Sequence, residues 1–521
     1  MNLVRAGKIG LFTMISLFLH TGTAQEIPVS KVDSCVQQVL KTFNVPGIAV
    51  GIVHKDSVVL AKGYGISNIE TGETVNASTN FGIASNSKAF TATALMLLEQ
   101  GGRLKLDDKV RKYIPEFTMY NTYVTEEFTI RDLLTHRSGL GLGAGDLMVW
   151  PDGHNFTPDD IISNIQYLKP VSGFRTKYDY DNLLYIIAGV VIERVSGMPW
   201  TTFIEENFLV PLRMNRTGAS WKTLHDKTNV IAPHVPVDGK LKVIERYTHS
   251  IFDAAAGLYS NVDDLIKWVR FQLNHGKTPD GRELLGKHFM DQLSKPQTLM
   301  PAFTRPPYNT LFRAYGLGFQ LQDVAGKLEV SHTGGLEGIV TQVIMYPQLD
   351  LGIIVLTNQQ EGAAFMAVSN TIKDFYLGLP YFDWVKEYAG LISVRNTNAE
   401  KTVDEVWQFV NQNVQDKVIP VTEISGKYRD AWFGNITILK DRNTGKLRFV
   451  SERSSQLTGD VSYYKDKTWV VKWDNAYLHA DAFIIVETVH NQVTGLKMKP
   501  ISPLTDFSYD FQDLDLVKIK N

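Results

Sequence analysis

Cysteine is almost absent: Cys35 is the one thiol in a chain of 521 residues. A single thiol can make neither an internal disulfide nor a multi-cysteine metal site, so stability has to come from a packed core. Cys35 itself sits in an amphipathic stretch, Lys31 to Phe43, where a small buried side chain is the expected role. Excess charge of one sign is also missing. The formal net charge is −2 and no long run of Lys or Arg occurs, which removes the electrostatic case for nucleic acid or an anionic membrane as the main partner. The H-E-x-x-H and G-x-S-x-G patterns do not occur, and the 12 histidines include no H-x-H pair. The nearest approach to a phosphate loop, Gly281-Arg-Glu-Leu-Leu-Gly286-Lys287, places His288 where magnesium needs Ser or Thr, and it follows a polar turn instead of a strand. Low-complexity tracts and internal repeats are absent.

What is present reads as a folded chain. With 44% apolar and 21% charged residues it can bury a sizeable core in more than one domain. Arg5 and Lys8 precede an apolar run, Ile9 to Leu19, too short to cross a bilayer comfortably, and Gly22-Thr23-Ala24 follows. This is the pattern of a signal peptide cleaved near Ala24, with an exported, periplasmic or secreted, mature protein.

The mature part opens with a helix. Then Gly47 to Val53 and Ser57 to Ala61 flank a polar turn at His54-Lys55-Asp56, a hairpin signal. Ala89 to Gln100, closed by Gly101-Gly102, reads as a helix with a glycine stop. The stretch from Phe128 to Gly276 is helix-rich, with helical spacing over Thr129 to Thr135, Tyr180 to Ser196 and Val262 to Asn274. Ile339 to Tyr346 and Leu351 to Leu356 read as adjacent buried strands. Their distance along the chain from the first hairpin predicts one sheet interrupted by a helical insertion. After Tyr381 a polar helix over Ala399 to Gln415 leads into short strands with turn signals at Asp441 to Gly445 and His490 to Gly495. These predict an antiparallel sheet or small barrel. The expected division is 1–24 signal peptide, 25–385 main domain, 386–419 linker with a helix, and 420–521 β domain.

Three short motifs carry chemistry. In Ser85-Asn86-Ser87-Lys88, on the first turn of a helix, residues three apart share a face, so the hydroxyl and the amine can meet. A lysine whose pKa is lowered by burial can take the serine proton, and the helix N-terminus favours developing negative charge. Ser462-Tyr-Tyr-Lys465 has the same spacing inside an expected hairpin and is read as accidental. Tyr180-Asp181-Asn182 precedes an apolar helix. There a phenol can shuttle a proton and an amide can bind substrate, although alone the pattern is no more than a cap beside a packed aromatic. His332-Thr333-Gly334-Gly335 lies at a strand edge where a substrate backbone can approach closely, with the N–H groups of Ser85 and Gly335 as an oxyanion hole. As a set they point to acyl transfer through a serine ester. A Ser-His-Asp triad using His136 or His332 is the alternative, and it leaves Lys88 and Tyr180 without a role.

In this order the motifs resemble class C β-lactamases and related penicillin-recognising serine hydrolases, the group of penicillin-binding proteins, D-aminopeptidases and esterases. Leu133-Leu-Thr-His-Arg-Ser-Gly139, Ala255-Ala-Gly-Leu-Tyr-Ser-Asn261, Tyr315-Gly-Leu-Gly-Phe319 and Leu356-Thr-Asn358 are similar too, so the resemblance runs over roughly residues 30 to 380. The tail, with Gly426-Lys-Tyr428, Trp469 and Trp473, resembles the lipocalin-like β domain appended to some of these hydrolases. The resemblance implies an α/β (α+β) fold: an antiparallel sheet flanked by helices, an all-helical lobe, the site between them, and a C-terminal all-β barrel-like domain. It implies that Ser85 is acylated, that Lys88 and Tyr180 form the base system, and that Asn182, His332, Thr333 and Gly334 contact substrate. The N–H groups of Ser85 and Gly335 would hold the oxyanion. No metal or organic cofactor is implied.

One position departs from the β-lactamase pattern. His332 stands where efficient enzymes of that kind have lysine, and a histidine gives a weaker, pH-dependent hold on a substrate carboxylate. D-Amino-acid peptidase or esterase activity on a small-molecule or short-peptide substrate, peptidoglycan-derived peptides included, therefore ranks above dedicated β-lactamase activity. Acyl transfer to an alcohol or amine stays open, as does a non-catalytic receptor that binds peptidoglycan fragments or β-lactams. No site motif marks the C-terminal domain, so packing or oligomerisation is its expected role. The sequence gives no oligomeric state.

Overall fold

The computed structural model describes residues 26–412 and 419–519. The signal-peptide reading of residues 1–24 lies outside the described residues.

Eight antiparallel strands form the central sheet, in the spatial order Ser57–Gly65, Gly47–His54, Leu351–Thr357, Ile339–Tyr346, Lys327–Leu336, Gln320–Val324, Arg313–Tyr315 and Thr298–Met300. The opening hairpin turns at Lys55 and Asp56, both at positive φ, the twist that matches a tight two-residue connection. Its first strand pairs with Leu351–Thr357, so the sheet is closed by residues some 300 positions apart and the helical lobe is inserted between its halves. Strand alternation explains the unbroken apolar run from Gly47 to Val53. Ile48, Val50 and Ile52 pack on Val32, Val36 and Val39 of the helix Val29–Thr42 and on Val368 and Ile372 of Gly362–Tyr376. Ala49 and Val53 face the other way, into the core shared with Val262, Leu265 and Val269. Both faces are covered, so neither can be polar. Cys35 is buried at the first layer, against Thr371 Oγ1 at 3.4 Å.

The lobe is built around the helices Ser87–Gln100 and Leu183–Ser196, both buried over most of their length. The second ends on Gly197 at φ +78, a left-handed C-cap. Thr129 to Thr135 gives a shorter helix than its spacing suggests. The helix covers Ile130–Leu133, opened by a reciprocal cap between Thr129 and Asp132 and followed by His136 at φ +51. The three edge strands from Thr298 to Val324 were not expected. They are short and mix polar with apolar residues, which hides a period of two.

The polar helix starts earlier than expected and covers Trp384–Gln412, while its expected end at Gln415 lies outside the described residues. Its first turns are fixed by Trp384, whose indole N–H donates to Asp374 Oδ2 at 2.7 Å. Further on, Val406 packs against Val470 and Ile501, the outer face of the C-terminal domain. That domain is a closed eight-stranded barrel from Gly426–Asp430 to Leu516–Lys518, sealed where Tyr428 and Arg429 pair with Lys518 and Val517. Trp469, Val471 and Trp473 alternate inward and, with Tyr428, Phe449 and Ile484, fill the interior. Side chains suffice to fill an eight-stranded barrel. The barrel rests on the lobe: Asn164 Nδ2 donates to Trp432 O at 2.9 Å, and Arg453 lies over the Phe156 ring while pairing with Asp160.

Candidate active site

Distant parts of the chain meet at Ser85. The strand Phe81–Gly82 leads into a tight turn, Ala84–Asn86, and then the helix Ser87–Gln100. Ala84 is held at φ +50, a left-handed conformation that costs a side-chain-bearing residue about 1–2 kcal/mol. Its neighbours enforce it. Ile83 N–H donates to Leu258 O at 2.9 Å, Asn86 Nδ2 donates to Ile83 O at 3.1 Å and Thr341 Oγ1 at 2.9 Å, and Thr341 Oγ1 donates to Ile83 O at 3.0 Å. From Phe81 to Phe90, Ser85 alone is not buried, so the turn presents one hydroxyl to the outside.

Lys88 lies one turn further, fully buried. Its Nζ is 3.1 Å from Ser85 Oγ, 2.8 Å from Asn182 Oδ1 and 3.0 Å from the carbonyl oxygen of Ala255. Burial pulls its pKa down to about 7, with the carboxylates of Asp146 and Asp181 acting in the other direction. A neutral amine has two N–H groups and one lone pair. Asn182 and Ala255 offer only acceptors to Nζ and take the two N–H groups, which leaves the lone pair aimed at the Ser85 hydroxyl.

Tyr180 stands over the same pair, its ring centroid 4.9 Å from Lys88 Nζ. Burial pushes its phenol well above the ordinary value, and the neighbouring Ser85 hydroxyl only partly offsets this. The phenol therefore keeps its proton at neutral pH. Asn182 also differs from expectation. It is buried, its Oδ1 faces Lys88, and its Nδ2 donates to Asp146 Oδ2 at 2.8 Å. Its amide holds the lysine instead of facing the cleft.

His332 requires a correction. It is buried, its Nδ1–H donates to Thr333 O at 2.6 Å, and its Nε2 accepts from the Tyr315 hydroxyl at 3.0 Å. Burial pulls its pKa down to about 3, and nearby Lys88 acts the same way. The ring stays neutral at physiological pH and cannot be a titrating clamp for a carboxylate. His136 is buried as well, and its Nδ1 accepts from the Asp181 main-chain N–H at 3.1 Å. Neither imidazole is paired with a carboxylate, so the geometry gives no Ser-His-Asp triad.

The strand Lys327–Leu336 forms the opposite wall. A Cβ on Gly334 would stand 2.2 Å from Ile83 O, so only glycine lets this strand lie against the turn that carries Ser85. Gly335 is exposed, and a Cβ there would meet nothing within 4 Å. Thr333, just before them on the strand, is half-buried.

Several residues of the site were not foreseen. Asp146 is buried and receives bonds from Asn182 and from Ser508 Oγ, the latter at 2.9 Å. Asp181 caps Leu183 N at 3.0 Å, and burial lifts its pKa to about 7. Tyr315 and the Ala255 carbonyl are in place too. Tyr315 and Ala255 lie in segments that the sequence singled out, whereas Asp146 and Ser508 sit in loops with no readable pattern.

A model of the beta-lactamase family matches residues 32–376, and a model of a domain of unknown function, DUF3471, matches residues 414–518. Protein flp of Staphylococcus aureus is 29% identical over 332 residues, covering 63% of this chain and 62% of flp, so the chain spans less than two thirds of that relative's length. Unguisins hydrolase ungD of Aspergillus violaceofuscus is 24% identical over 454 residues, 81% of this chain and 78% of that protein. An octameric penicillin-binding protein homologue from Pyrococcus abyssi superposes over 94% of this chain and 100% of its own, with a TM-score of 0.59 and 21% identity. A class C beta-lactamase from Rhodobacter sphaeroides covers 67% of this chain and 99% of its own, with a TM-score of 0.54 and 18% identity. The last two likenesses speak for the fold.

Proposed function

The chain belongs to the beta-lactamase family, and from that premise we propose that it is a serine hydrolase working through an ester on Ser85. Its substrates are small-molecule or short-peptide amides and esters. The observation that carries this reading is the buried Lys88 amine 3.1 Å from the one accessible hydroxyl of its segment.

Lys88 is the base in this scheme, because burial moves its pKa toward neutrality while it moves that of Tyr180 away from it. As Ser85 Oγ attacks the substrate carbonyl carbon, its proton passes to Lys88 Nζ, and the oxyanion is held by the N–H groups of Ser85 and Gly335. Breakdown sends that proton to the departing amine or alcohol, with the protonated Tyr180 hydroxyl as the relay over the cleft. Water then attacks the ester and Lys88 takes its proton. Breakdown releases the acid as Lys88 Nζ returns that proton to Ser85 Oγ, which regenerates both groups.

Peptidase or esterase activity ranks above β-lactamase activity. The neutral His332 offers no fixed positive charge to the carboxylate of a β-lactam, and one relative is named as a hydrolase of unguisins. Turnover of a short-chain p-nitrophenyl ester, a D-alanyl p-nitroanilide and a penicillin by the protein and by Ser85→Ala tests this. Serine-dependent turnover with the penicillin slowest is expected. A lasting penicillin adduct with no turnover of any compound would replace the hydrolase with a receptor.

A further inference from the structure

The C-terminal barrel touches the candidate site directly. The segment between its last two strands, Gln492–Pro500 and Leu516–Lys518, crosses to the lobe and meets the loop that carries Asp146. Asp510 is fully buried, and its carboxylate accepts the N–H groups of Gly145 at 2.7 Å and Leu147 at 3.0 Å, on either side of Asp146. Phe507 packs edge-on to Tyr180 with ring centroids 5.9 Å apart. A Cβ on Gly143, which sits at φ +69, would stand 2.7 Å from the Phe507 carbonyl oxygen. The N–H of Gly143 in turn donates to Tyr180 O at 2.8 Å. The loop is clamped between the tyrosine and the barrel.

Through this contact runs an unbroken chain of hydrogen bonds. Ser508 Oγ donates to Asp146 Oδ2 at 2.9 Å, Asn182 Nδ2 donates to the same oxygen at 2.8 Å, Lys88 Nζ donates to Asn182 Oδ1 at 2.8 Å, and Lys88 Nζ reaches Ser85 Oγ at 3.1 Å. Each of the four side chains before Ser85 is buried, so water cannot stand in for a missing partner. Removing the Ser508 donor leaves Asp146 free to turn away from Asn182, and an Asn182 amide that rotates would offer Lys88 an N–H group instead of an oxygen.

We propose that the barrel is a working part of the hydrolase site: Ser508 is a positioning residue that, through Asp146 and Asn182, orients Lys88 against Ser85. This rests on the hydrolase reading above and deepens it. The chain is then one catalytic unit whose two domains cannot exchange freely.

The test uses the full chain and p-nitrophenyl acetate. Ser508→Ala is expected to lower kcat about tenfold with KM within twofold. Lys169→Ala removes an exposed ion pair to Asp515 across the same interface and should change neither constant by more than twofold. Ser508→Thr keeps the hydroxyl and should recover at least half of the lost kcat. A folded Ser508→Ala protein with unaltered kcat overturns the proposal, and so does an equal loss in Lys169→Ala. A Ser508→Thr variant that melts with the wild type yet stays as slow as Ser508→Ala overturns it as well. If the wild type is no faster than Ser85→Ala, the hydrolase reading itself fails. The network is then read from melting temperatures of Ser508→Ala, Asn182→Ala and the double variant. A combined loss smaller than the sum supports the shared chain, and strictly additive losses contradict it.

Discussion

Two segments of this chain carry a serine three residues before a lysine, and they share nothing else. Ser85 and Lys88 lie on the first turn of a helix, where that spacing puts both on one face. The lysine is buried and has three partners, one of them the serine. Ser462 and Lys465 lie on the strand Thr458–Lys465, next to a register shift, with the lysine exposed and its Nζ resting over the Tyr464 ring. Spacing acquires chemical meaning only from the period of the element that carries it and from the water it excludes. Burial is what brings the Lys88 amine down toward neutrality.

The comparison is broken most directly by removing the hydroxyls. Ser85→Ala should lose at least about 10⁴-fold in kcat, while Ser462→Ala stays within assay error, as initial rates with a p-nitrophenyl ester will show. Next come the amines. Arg cannot be deprotonated in a protein, so Lys88→Arg should lose about 10²–10⁴-fold, whereas Lys465→Arg leaves kcat/KM unchanged.

The glycines of the opposite wall sharpen the point on a smaller scale. Gly334→Ala forces a methyl against Ile83 O and should cost about 1–3 kcal/mol in denaturant melts, with slowed turnover. Gly335→Ala meets open space, so its stability should stay within about 0.5 kcal/mol.

The buried imidazoles add an effect of another kind, one graded with pH. The folded-state pKa of His332 is pulled down to about 3 and that of His136 well below 6.5, so below pH 6.5 the unfolded chain binds protons that the folded one refuses. Stability should therefore fall with decreasing pH, by about 1.4 kcal/mol per pH unit for each such ring, between pH 6.5 and the folded pKa. Melts of wild type and His332→Gln from pH 7 to 4 check this, the variant showing the shallower fall.

Much of this was legible. The opening hairpin, the strands Ile339–Tyr346 and Leu351–Thr357, and the helix after Ser85 follow from period and punctuation, and the barrel from turn residues at short intervals. The pairing of Ser85 with Lys88 followed from helical spacing. What escaped depends on contacts through space. Asp146 and Ser508 are 362 positions apart, and neither has a neighbour that hints at the other. His332 was read as a clamp because its sequence position does not reveal that Tyr315 and the main chain satisfy both ring nitrogens. The first half of the helix Trp384–Gln412 was missed because tertiary contacts at Trp384, not an apolar stripe, fix its start.

The central claim is that a dry, near-neutral Lys88 activates Ser85. The most direct measurement is the rate at which a fluorophosphonate labels the intact protein as a function of pH, with the labelled residue located by mass spectrometry. The account predicts a single label on Ser85, with a rate that rises tenfold per pH unit below about 7 and then levels off, and that is lost in Lys88→Arg. Labelling that keeps rising toward pH 10, that survives in Lys88→Arg, or that falls on another serine would contradict it.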